Sequence, residues 1–191
     1  MPNKVKYGLS NCYFAVQTEG AGGAITFGTP VALPGAVNLS LEQDGETNKF
    51  RADNIDYYTS ISNNGYSGDL ELALIPDAFL TTVMGEVKDA TNGLQYEAAD
   101  VKPKAFALLF QFEGDANATR HVLYNCKATR PTLASQTTDT TIEPVTETIN
   151  ITATAMNMTV GGNTTPIVKA KCGPEDSAYS TFFTAVQVPT A

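Results

Sequence analysis

Apolar and polar residues alternate with a period of two along much of this 191-residue chain, the pattern of strands with one buried face. Val37, Leu39 and Leu41 point one way and Asn38, Ser40 and Glu42 the other; Leu70, Leu72 and Leu74 likewise oppose Asp69, Glu71 and Ala73. Residues 104–113 place Phe106, Leu108, Phe110 and Phe112 against Ala105, Ala107, Leu109 and Gln111, which makes this the most apolar strand and the expected centre of the core. Residues 119–129 follow as its hairpin partner across the turn Gly114-Asp115-Ala116-Asn117. Late in the chain Val145, Glu147, Ile149, Ile151 and Ala153 alternate with Thr146, Thr148, Asn150, Thr152 and Thr154. That strand meets water or a partner on its polar side.

Helical periodicity is confined to two short stretches, so the pattern predicts a mainly β protein with one or two short helices. Pro76-Asp77 starts the first, with Phe79/Val83 and Leu80/Met84 stacked four apart and Gly85 as the stop. The second runs from Pro174-Glu175-Asp176 through Val186, with Tyr179, Phe183 and Val186 as an apolar stripe. Gly20-Ala21-Gly22-Gly23, Gly161-Gly162-Asn163 and residues 131–144 read as turns or loops, the last long enough to suggest a functional role. A single domain spanning 1–191 is the expectation at this length, with 161–191 its least certain segment.

Composition makes the chain globular, with 42% hydrophobic and 17% charged residues. The formal charge of -8 argues against a protein that grips nucleic-acid phosphates, since that requires Lys and Arg gathered on a face. Residues 1–100 hold thirteen acidic and five basic residues, whereas 101–191 hold seven of each, so the excess negative charge lies in the first half. No apolar run approaches a membrane span and no signal-peptide core follows Met1, so neither export nor membrane insertion is expected.

Candidate chemistry is sparse. Cys12, Cys126 and Cys172 are an odd number with no short Cys-x-x-Cys spacing, and His121 is the single histidine, so the ligand pattern of a structural zinc site is missing and the three read as reduced cytosolic thiols. On a regular strand His121 and Cys126, five apart, face opposite sides, so no nucleophile–base pair is expected. Asp53, Asp56, Asp69 and Glu71 are the carboxylates a hydrolase would have to pair. The acidic run Glu42-Gln-Asp44-Gly-Glu46 reads as a solvated turn rather than a calcium loop. No catalytic, cofactor or metal residue is assigned.

One segment stands apart. Between Thr47 and Gly68, Phe50, Tyr57, Tyr58 and Tyr66 lie among Asn, Asp and Arg, a composition of interfaces where one end of a side chain is buried and the other stays wet. The same tyrosines could instead cap the edge of the chain's own core. Phe50-Arg-Ala-Asp-Asn-Ile-Asp-Tyr-Tyr58, followed by Asn63-Asn-Gly-Tyr-Ser-Gly-Asp-Leu-Glu-Leu-Ala-Leu-Ile-Pro-Asp77, resembles the major tail protein of long-tailed, non-contractile phages of Gram-positive bacteria. The resemblance continues through Pro103 to Phe110, Arg120 to Pro131 and Ile142 to Thr154, and loosens after Gly161.

The resemblance implies a β-sandwich or barrel-like tail tube subunit with a flanking helix. Six copies would form a ring whose sheets join into a continuous inner barrel, and rings would stack by long loops and terminal arms around a tape-measure protein. Tail terminator and distal tail proteins are the further partners implied, double-stranded DNA passes without specific binding, and the virion tail is assembled in the host bacterial cytoplasm. Within that picture Asp69 and Glu71 are expected to face the lumen, because wall carboxylates repel phosphates where Lys and Arg would bind them. Phe50, Arg51, Asp53, Asn54, Tyr57, Tyr58 and Tyr66 in the loop 44–66, together with the loop 131–144, are expected to make contacts between subunits. The alternative is a β-sandwich receptor- or carbohydrate-binding module of a phage tail or adhesin.

Overall fold

Strand β10 (Phe106–Phe112) is buried on both faces, and the rest of the molecule is arranged around it. The computed structural model describes residues 7–20, 23–115, 117–133, 135, 137 and 145–190. β10 pairs antiparallel with β1 (Leu9–Glu19) on one edge and β11 (Arg120–Ala128) on the other. β2 (Ile25–Phe27) and β3 (Val31–Ala32) extend the sheet beyond β1. Three long strands continue it in the opposite direction: β12 (Glu147–Ala153), β7 (Gly65–Leu72) and β4 (Ala36–Asp44). Between the last two in sequence lies a two-stranded hairpin of β5 (Thr47–Ala52) and β6 (Ile55–Ile61).

The sheet folds over, so that β12, β7 and β4 face β1 and β10 across one core and β4 comes into contact with β1. This core holds Phe14, Leu70, Leu72, Phe106, Leu108, Ile149 and Ile151. Its open end is closed by α1 (Asp77–Phe79), which runs on into a π-helical turn over Leu80–Met84. Phe79, Val83 and Met84 point inward as their spacing predicts, and Gly85 ends the helix at φ 82°, a left-handed conformation in which a Cβ would be strained. Phe79 makes edge-to-face contacts with Phe14 and Phe106, with centroids 5.1 and 5.4 Å apart. The small hairpin of β8 (Val87–Lys88) and β9 (Gln95–Tyr96) follows the helix.

A second core lies on the other face of β1, β10 and β11, and it explains why β10 carries no polar face. Ala15, Ala107, Leu109, Val122 and Tyr124 are covered there by the hairpin β13 (Met156–Val160) and β14 (Asn163–Ile167) and by the C-terminal segment. β15 (Lys169–Cys172) pairs with the first half of β11. Residues 161–190 are thus packed into the fold rather than trailing from it. The helix expected over 174–186 is instead a chain of turns with three-residue bonds, Tyr179 N–H to Asp176 C=O and Phe182 N–H to Tyr179 C=O. Thr181 and Thr184 hydroxyls bond nearby carbonyls, the competition that makes such residues poor in a helix interior. The apolar stripe still packs: Tyr179, Phe183 and Val186 lie against the second core, Phe182 is buried in it, and the Tyr124 hydroxyl donates to Gln187 C=O at 2.6 Å.

Departures from strict alternation trace to bulges and strand ends. Val37 is exposed rather than buried beside Leu39 and Leu41, because the β4–β7 register shifts between Ala36 and Asn38. Leu74 is exposed because β7 ends at Leu72. Glu42 and Asp44, expected in a turn, are exposed strand residues of β4. The expected hairpin of residues 104–113 and 119–129 forms, with Asp115 accepting from Asn117 and Thr119 N–H at 3.0 and 3.1 Å; Ala116 lies outside the described residues. Leu72→Ala should cost about 2–5 kcal/mol in urea denaturation, whereas Leu74→Ala should stay within about 0.5 kcal/mol, the range of exposed sites. Equal losses would contradict the strand boundary.

Candidate functional site

Among the described residues two surfaces stand out once the cores are filled. The first is the outward face of β4, β7 and β12. Cross-strand register lines it up in rows: Asn38, Glu71 and Thr148; Ser40, Asp69 and Asn150; Glu42, Ser67 and Thr152. None of the nine is apolar, because the opposite face of the same strands carries Leu39, Leu70, Ile149 and Ile151 into the core. Asp69 and Glu71 share this face, as their spacing on one strand predicts. Asn150 Nδ2 donates to Asp69 Oδ1 at 3.1 Å, and the Thr146 hydroxyl donates to Glu71. Lys127, opposite Thr152 on β11, borders the face.

The second surface is the β5–β6 hairpin, where a loop was expected from the sequence. Asp53 and Asn54 form its two-residue turn with φ of 51° and 62°, the paired left-handed conformation of a type I′ turn, which Asn and Asp tolerate better than other side chains. Backbone geometry therefore accounts for these two residues. Phe50 lies directly across from Tyr58, and Tyr57 is the extra residue of a bulge between the Phe50–Tyr58 and Arg51–Asp56 pairs. Asp56 holds the hairpin's cations, with Lys49 Nζ at 2.9 Å and Arg51 Nε at 3.3 Å. These pairs are exposed and contribute little stability.

Phe50, Tyr57 and Tyr58 are 62%, 70% and 62% exposed, so they do not cap the core. Ile55 and Ile61, which sequence reasoning passed over, are exposed beside them. Tyr66 differs. It lies in β7, partly buried against the first core, with Lys169 Nζ 4.5 Å from its ring centroid and donating to its hydroxyl. Of the loop 131–144, residues 134, 136 and 138–144 lie outside the described residues, as do residues 1–6.

The contact between Lys169 and Tyr66 crosses a fork in the sheet. β11 pairs with β15 over Arg120–Leu123 and with β12 over Cys126–Ala128, and the two partners diverge. Beside the fork, between β15 and the β7–β4 part of the sheet, opens a groove of about 240 Å³ lined by Leu39, Leu41, Tyr66, Phe110, Phe112 and Lys169 among others.

The structure brings no reaction centre together from the candidates named. Asp53 and Asp56 are on the projecting hairpin, Asp69 and Glu71 on the sheet face. A register shift in the β10–β11 pairing, between Phe106/Cys126 and Leu108/Leu123, puts Cys126 on the face of Leu123, contrary to the opposite-face expectation for His121 and Cys126. Even so, the His121 ring stacks on Phe110 at 5.3 Å, and Cys126 Sγ donates to Leu123 C=O at 3.6 Å. Among the described residues no group of three or more His, Cys, Asp or Glu is placed to hold a metal, and no helix is long and apolar enough to cross a membrane.

A β scaffold whose distinguishing surfaces are a polar, acid-bearing sheet face and a projecting aromatic hairpin belongs to the class of structural proteins that work through repeated contacts. The chain belongs to the phage tail tube protein family, whose model matches residues 2–188. It is a major tail protein, a structural component of the virion tail, in a family that self-assembles and associates with other tail components. No curated protein matches it.

Burial pushes the Cys12 and Cys126 thiols up to about 12. Because the folded pKa lies above the ordinary 9.0, unfolded thiols ionise first, and the stability these groups contribute is lost as pH rises from about 9 towards 12. At pH 8 a thiol reagent should therefore label neither cysteine in native protein and all three cysteines in denaturant, by mass spectrometry.

Proposed function

We propose that this chain, as one tail tube domain over residues 1–191, forms hexameric rings that stack into the hollow tube through which phage DNA is ejected. The single observation that carries the reading is the hairpin, which holds Phe50, Tyr57 and Tyr58 in water on a two-stranded ribbon. Exposing these rings is unfavourable for an isolated subunit, and contact with a neighbouring copy removes them from water. Arg51, Asp53 and Asn54 ride on the same ribbon. The loop 131–144 is assigned the same kind of role from its length.

In this reading the β4–β7–β12 face lines the lumen. Asp69, Glu71 and Glu42 put negative charge on a wall past which DNA must move, and carboxylates repel phosphates over about a Debye length, roughly 8 Å at physiological salt. DNA then passes without specific binding. A tape-measure protein occupies the lumen during assembly in the host cytoplasm, with terminator and distal tail proteins at the ends.

The double variant Phe50→Ser/Tyr58→Ser should unfold at the wild-type temperature yet lose most of its polymer by electron microscopy; unchanged tube yield would remove the hairpin from the interface. Asp69→Lys/Glu71→Lys should still assemble, but slow DNA ejection about tenfold or more at low salt, with recovery as salt rises. Unaltered ejection at every salt concentration would place these acids outside the lumen.

A further inference from the structure

We infer that the groove at the fork of β11 is the receptor for the aromatic face of the β5–β6 hairpin from a second copy of this chain, an assignment that rests on the self-assembling tube reading. The groove has an apolar floor of Leu39, Leu41, Phe110 and Phe112, with Lys169 and Tyr66 at its mouth. About 240 Å³ is enough for one aromatic ring with room to spare, given that a cavity of about 150 Å³ holds benzene. On the hairpin, Phe50 and Tyr58 sit side by side on one face, an apolar pair with a hydroxyl at one end. The pair matches the groove: rings for the floor, and a phenol within reach of a lysine.

The hairpin does not reach its own groove. Leu41 and Tyr66 line the groove at the foot of the ribbon, just before Asp44 and just after Gly65, while strands of six and seven residues carry Phe50 and Tyr58 away from that foot at about 3.3 Å per residue. A knob and a socket on different parts of one surface permit a heterologous contact, which propagates from copy to copy. That is the contact geometry a ring or a tube requires.

Charge supports the same occupant. Residues 44–63 carry Asp44, Glu46, Asp53 and Asp56 against Lys49 and Arg51, a net of -2. The strand beside the groove carries Lys169 and Lys171, both exposed, with no acidic residue among Lys169–Cys172. Like signs would oppose docking; here the signs are opposite.

The test uses two full-length variants that leave the knob and the floor intact. Asn48→Cys marks the aromatic face of the hairpin, Lys171→Cys the rim of the groove, and Thr148→Cys serves as a control on the polar sheet face. The three native thiols are buried. After co-assembly and treatment with a short bifunctional thiol reagent, N48C and K171C should form a cross-linked dimer several-fold more abundant than N48C with T148C. Tubes in which the two yields are equal overturn the docking assignment and leave the tube reading standing. Failure of wild-type and variant protein to form any polymer, with natural tail partners present, overturns both. Independently, K169E/K171E should weaken assembly several-fold with monomer melting unchanged, and undiminished assembly would count against the groove.

Discussion

The pleat of a β-strand sends successive side chains to opposite sides, and in this protein the sides of one sheet lie in three different environments. At β1, β10 and β11 both sides are oil, since a core lies above and another below. At β12, β7 and β4 one side is oil and the other is water. That difference along a single sheet decides where assembly surfaces can be. The doubly covered strands fix the scaffold, and the singly covered strands and the ribbon that grows from them turn whole faces to water.

Close approach of backbones sharpens this arrangement. Gly68, in the middle of β7, sits so near β4 that a Cβ would lie 1.9 Å from Ser40 C=O. The polar face is therefore built on a tightly packed ladder. Its rows of Thr, Asn, Ser and carboxylate side chains are held by cross-strand hydrogen bonds such as Asn150 to Asp69. A face held in this way presents its charges at fixed positions.

Much of this was legible in the residues. Alternation located β4, β7, β10, β11 and β12, and the i, i+4 pairs located the helix that plugs the first core. The polar partners of Leu70 and Ile149 announced an exposed face. The errors have particular causes. A bulge between Ala36 and Asn38 inverts Val37, and another in the β10–β11 pair returns Cys126 to the side of Leu123; neither leaves a period that a sequence can display. Residues 174–186 have the stripe of a helix but too many hydroxyls to wind as one. The aromatic, wet composition of 47–61 was readable from its tyrosines, and the structure leaves Phe50, Tyr57 and Tyr58 exposed. The segment's β form was signalled only by the dipeptide Asp53-Asn54 between two β-rich runs. The groove had no sequence signal, since its walls come from five strands that the fold alone brings together.

The sealing of Cys12, Cys126 and Cys172 has a consequence for the particle as a whole. A virion leaves a reducing cell for an oxidising medium, where accessible sulfurs would couple neighbouring copies at random. With every sulfur inside a subunit, no such weld can form. Contacts between copies are then left to non-covalent surfaces, which can part and re-form where a disulfide would hold them fixed.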